Sequence, residues 1–158
     1  MAGTADKSTP TLGDDLLPPL RKGEPVNVVV ARTQVVAGQV HLKVEAPQTV
    51  RGAPGAKLLV KHVYRLQEHS NDREEYRILL RSNLNGKEHA PSLGRFGDTY
   101  AMPDDYSGFL VHEYVLPASG KAELSFEVAA EYTIGDWKSE RVDTHQVKRA
   151  VGDVKILL

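Results

Sequence analysis

From Ala122 to Ile134 the chain sets an apolar residue at every second position: Ala122, Leu124, Phe126, Val128, Ala130, Tyr132 and Ile134. Lys121, Glu123, Ser125, Glu127, Glu131 and Thr133 take most of the places between them. A period of two is the side-chain period of a β-strand, so one face of this stretch meets a core and the other meets water. One-sided burial is the mark of an antiparallel sheet, since parallel sheets covered by helices hide both faces. Residues 121–134 also exceed the usual strand length of about 3–10 residues. A strand this long is expected to bend or to cross between sheets, and the small pair Ala129–Ala130 marks the expected bend.

The same period recurs elsewhere. "VNVVVART" and "GQVHLKVEAP" are β-branched and alternating, with the turn signal "AGQ" at 37–39 between them. "KLLVKHVYRLQE" (57–68) and "REEYRILLRS" (73–82) flank the polar "HSND" and read as a strand pair, although Leu59, Val63 and Leu66 also fit a helical stripe. "FLVHEYVLP" (109–117) reads as a strand and "ASG" as the turn leading to the long alternating segment. "APQTVRGAPGA" (46–56) reads as loop. The tail after Trp137 reads as a strand, a turn at Gly152 and a closing strand "VKILL", with a helix over 139–150 as the competing reading.

About seven or eight short strands with turn signals near every ten residues imply an all-β fold. The expected architecture is an antiparallel β-sandwich, immunoglobulin-like in the broad architectural sense, with a closed β-barrel as the alternative. Residues 25–158 form the expected single domain. Residues 1–24, rich in Gly, Pro, Ser, Thr and charge, read as a flexible leader whose one apolar cluster is Leu16, Leu17 and Leu20.

Composition narrows the chemistry. At 158 residues with 41% hydrophobic and 26% charged residues, the chain has the makings of a soluble globular domain. No apolar run approaches the ~20 residues of a membrane-spanning helix. A formal net charge of −1 supplies no general attraction to nucleic acid or anionic lipid. The absence of cysteine excludes disulfides, thiolate catalysis and Cys-ligated zinc. Without an N-terminal signal pattern, the cytoplasm is the default expectation.

Catalytic motifs are not evident. The histidines at 41, 62, 69, 89, 112 and 145 form no HxH, HxxxH or HExxH pattern, and no cofactor or metal is expected. His62, on an apolar strand face, reads as a hydrogen-bonded core or rim histidine. Glu74 and Glu75 diverge on a strand, and Asp104–Asp105 beside Pro103 read as turn chemistry. Nucleophile elbow, P-loop and dinucleotide fingerprints are missing, so an enzyme with a site dispersed over several strands is the weakest reading.

The segment 86–108 is longer than most connections and is not composed like a linker. Arg95, Phe96, Tyr100, Met102 and Tyr106 are interface-prone residue types, so this segment is either a contact surface or a plug over a sheet edge. The leading expectation is a non-catalytic protein-interaction or assembly module. Its contacts would run through 86–108 or a sheet edge, and its partner would be another protein or a second copy. A small-ligand carrier with an apolar barrel cavity is the alternative.

Overall fold

The computed structural model describes residues 23–68, 74–97, 102–136 and 141–158, with only the backbone path for 135–136 and 141–145. Most of the leader, the "HSND" turn and Tyr100 lie outside the described residues.

Every regular element among the described residues is a strand: β1 (Val26–Val36), β2 (Gln39–Val44), β3 (Thr49–Arg51), β4 (Lys57–Gln67), β5 (Glu74–Leu84), β6 (Lys87–Glu88), β7 (Ser92–Phe96), β8 (Asp105–Val115), β9 (Ala122–Asp136) and β10 (Arg141–Leu157). They form two sheets. One has four strands in the order β2-β1-β4-β8. The other has six, in the order β3-β10-β9-β5-β6, with β7 also on β5. Neither sheet closes on itself, so the fold is a β-sandwich and the barrel alternative is overturned.

The sheets are mixed, not purely antiparallel as expected. β1 runs parallel to β4, and β3 runs parallel to the end of β10. Parallel neighbours need a long return connection. Here β2 and β3 supply it for β1 and β4, which the strand periodicity of either partner could not indicate. β4 and β5, read as a pair, instead lie in different sheets: β4 pairs with β1 and β8, and β5 with β9, β6 and β7.

Side-chain alternation builds the core. Leu124, Phe126 and Val128 of β9 are buried, while Glu123 is exposed and Ser125 and Glu127 are partly so. The inward residues of β1, β4, β5, β9 and β10 meet in one large cluster around Val28, Val60, Leu80, Leu124 and Ile156. A second cluster, around Leu66, Tyr76, Ile78 and Tyr132, closes the other end.

β9 stays within one sheet along its whole length, and its irregularity falls between Ile134 and Gly135 rather than at Ala129–Ala130. Both alanines keep regular pairing with β10 and β5. β10 is one continuous strand through Gly152, with neither the expected turn nor a helix. Gly152 lies opposite Phe126, and a Cβ there would sit 2.5 Å from Phe126 Cζ. The glycine is therefore a seat for a ring, a use of glycine in a strand that composition cannot separate from a turn. Gly152→Ala is expected to cost about 1–2 kcal/mol in urea unfolding, by displacing that ring. A variant as stable as the parent would show that the ring has room to move.

Two hairpins have two-residue turns with positive φ at both residues. Ala37–Gly38 joins β1 to β2, and Asn85–Gly86 joins β5 to β6. The second begins the segment 86–108, which is not a structureless loop. It carries β6, β7 and the first residues of β8. Asp105, read as a turn residue, opens β8 and pairs with Arg65 of β4.

Candidate interaction surface

The residues singled out in 86–108 divide. Phe96, Met102 and Tyr106 are half-buried and pack on the second core cluster. Phe96 and Tyr106 also lie against Tyr64, with ring centroids 5.2 and 6.3 Å away. Burial, with Tyr106 as a secondary cause, pushes the Tyr64 hydroxyl up to about 12. These rings cover the mouth between the sheets at that end. Arg95 points outward and bonds Glu75 Oε2 at 3.2 Å.

β7 aligns on β5 with Arg95 opposite Arg77, and Glu75 also takes Arg77 Nε at 2.8 Å. Arg77 and Arg81 further approach Glu131 and Glu127. The outer face of the six-stranded sheet thus carries a ladder of alternating charges. A groove of about 420 Å³ on this sheet opens to solvent and has a mixed lining, with Arg81, Glu88 and Asp153 beside His89, Phe126 and Val151.

Among the described residues, three buried polar clusters lie inside. His62 Nδ1 donates to the Leu79 carbonyl at 2.9 Å, so Nε2 accepts from Thr33 Oγ1 at 2.7 Å. This is the hydrogen-bonded core histidine expected, and it ties the two sheets together. Burial holds its imidazole below the usual range, against the opposing effect of the Leu79 bond. Glu74, Tyr76 and Tyr132 form a second cluster: both phenols donate to the carboxylate, at 2.6 and 3.0 Å. Burial raises both phenol pKa values, Tyr132 to about 12.

The third cluster was not legible in the sequence. Ser82 on β5 lies 2.6 Å from both His112 Nδ1 and Tyr114 OH, and His112 Nε2 lies 3.0 Å from Ser92 Oγ. The His89 ring stacks on His112 with centroids 3.9 Å apart. A serine beside a histidine can serve nucleophilic catalysis, which needs a base able to take a proton. Here both ring nitrogens engage hydroxyls. Burial first, and His89 second, push the imidazole down to about 4. The arrangement keeps His112 neutral and binds the sheets across the core. It left no local signature because its hydrogen-bonded partners are 20 to 32 residues apart and lie in different sheets, so they meet only when the sheets stack.

Exposed apolar side chains lie on both sheets, Leu93, Val147 and Val151 on the six-stranded one, and on the outer side of the four-stranded sheet they gather at β8. There Phe109, Val111 and Val115 are 52%, 39% and 66% exposed. Half-buried Val63 and Leu59 of β4 continue the apolar area, with Val63 opposite Phe109. Lys61 lies over the Phe109 ring, 4.8 Å from its centroid. Arg65 and Lys57 pair with the two β8 carboxylates, Asp105 and Glu113.

β8 is also a sheet edge. Among the described residues it pairs with β4 alone, over eleven residues without a register shift. Edge strands are normally protected by shortness, lysines, prolines or bulges. β6 and β7 are short, and β2 is six residues long with Lys43. The part of β10 not covered by β3 carries Lys148 and Arg149. β8 contains no lysine, arginine or proline.

Compared with known proteins, the chain matches no family model, and no significant likeness to a curated protein or to a solved structure is found.

Proposed function

We propose that this domain is a non-catalytic interaction module that accepts an extended strand of a partner protein along β8. The observation that carries this reading is a strand that, among the described residues, pairs on one side only and whose outward row holds Phe109, Val111 and Val115. Strand addition draws affinity from main-chain hydrogen bonds and specificity from alternate side chains. The outward side of β8 offers an apolar centre between Asp105 and Glu113. Both of those carboxylates are already paired within the chain. The fitting ligand is therefore a β-strand with uncharged, apolar residues on its matching face. Arg95, Phe96, Met102 and Tyr106 support the edge from behind and are not the contact itself.

Selection from a random-peptide display library tests the reading. The recovered peptides are expected to alternate apolar residues and to lose binding to Phe109→Lys/Val111→Lys, two changes at exposed sites that put lysines on the edge. Selected peptides that bind this variant as well as the parent would move the contact surface elsewhere.

A further inference from the structure

Resting on strand acceptance at β8, we infer that the strand it accepts is β8 of a second copy, antiparallel about a two-fold axis at Leu110. A two-fold contact uses the same patch on both copies, so the strand must be complementary to itself. The sequence DYSGFLVHEYV allows this in one register better than in its neighbours. With the axis at Leu110, Phe109 of each copy lies opposite Val111 of the other, giving two apolar cross-strand pairs on the outer face. Asp105 then meets Val115, and Ser107 meets Glu113. On the inner face Leu110 meets Leu110, and Tyr106 meets Tyr114.

An axis at Phe109 would instead set Asp105 opposite Glu113, and like charges directly opposite are unfavourable. An axis at Val111 would set Phe109 opposite Glu113 and break both apolar pairs. Charge supports self-pairing as well. Arg65 and Lys57 already neutralise the two carboxylates of β8, and Lys61 covers the Phe109 ring, so the edge presents no unmatched charge for a differently charged partner. The central residues that remain, Phe109 and Val111, match each other. Pairing joins two four-stranded sheets into one eight-stranded sheet and removes both exposed edges.

Sedimentation equilibrium over a wide concentration range reads the association. The intact chain is expected to form reversible dimers and no larger species, and Phe109→Lys/Val111→Lys to raise the dissociation constant by about tenfold or more. Register is read by cysteine scanning, which a cysteine-free chain allows without background. Paired antiparallel residues have Cα atoms about 4.5–5.5 Å apart, within disulfide reach. Leu110→Cys is therefore expected to yield a disulfide-linked dimer on mild oxidation, and Val115→Cys, far from its own symmetry mate, to yield none. Circular dichroism confirms that each variant is folded.

A chain that stays monomeric throughout overturns the dimer. If the library peptides still bind at β8 in that case, strand acceptance survives with a different partner. Dimers that persist unchanged in the double-lysine variant overturn the assignment to β8. Cross-linking at Val115 but not at Leu110 overturns the register.

Discussion

Phe126→Ala is expected to destabilise the domain by about 3–5 kcal/mol, whereas the neighbouring Glu127→Ala should cost less than about 1 kcal/mol. Phe126 is 4% exposed and lies across the chain from Gly152, which has no side chain to fall into the vacated space. Large-to-small substitutions cost most where the surroundings cannot collapse, so the loss belongs at the upper end of that range. Glu127 lies on the other face, where its contact with Arg81 is long and partly solvated, and such pairs contribute little. Urea unfolding of both variants measures the contrast. Equal losses would mean that both faces of β9 are covered and that the two-layer account of this strand is wrong.

Acid is expected to unlock the cross-sheet histidines. His112 is held neutral with its pKa lowered to about 4, and His62 is lowered as well, both chiefly by burial. In the unfolded chain each titrates near 6.5, so the unfolded state binds more protons as pH falls below that value, down to about 4 for His112. Their stabilisation is therefore complete above the unfolded value and is lost as pH falls through this window. Allowing for solvent screening, His112 alone accounts for on the order of 2 kcal/mol. Urea unfolding at pH 7.5 and pH 4.5 should show a smaller pH-dependent loss for His112→Gln than for the parent, although the variant is less stable at both. Parallel losses in the two proteins would show that His112 titrates alike folded and unfolded.

Much of the fold is legible in single segments. The alternation in 121–134 places Leu124, Phe126 and Val128 inside without reference to the rest of the chain, because facing is a local consequence of the strand pleat. The same reasoning finds β1, β2, β4, β5 and most of β8. Asn85–Gly86 is a strong hairpin signal, and it marks where the segment 86–108 stops being loop. β6 and β7 have only two and five residues, too few for an alternating pattern to mark them.

The candidate surface was legible only in outline. A sheet edge was among the expected contacts, yet nothing local distinguishes β8 from β9 as an edge. Phe109 and Phe126 occupy equivalent places in alternating strands, and one is exposed and the other buried. The difference comes from neighbours: β9 is paired on both sides, by β10 and β5, and β8 on one. The same holds for Phe96, Met102 and Tyr106, whose residue types suit a contact surface and whose packing on the second core cluster, with Phe96 against Tyr64, no local pattern indicates.

What the amino-acid sequence determined by itself is strand character, facing and the all-β class, since these follow from a two-residue period and from turn residues. Tertiary structure alone decided which strands are neighbours, which pairs run parallel, that Gly152 seats a ring, and that Ser82 and His112 meet. Backbone hydrogen bonding is chemically the same for every strand. Partner choice therefore rests on how all the apolar faces pack at once, and no single segment contains that information.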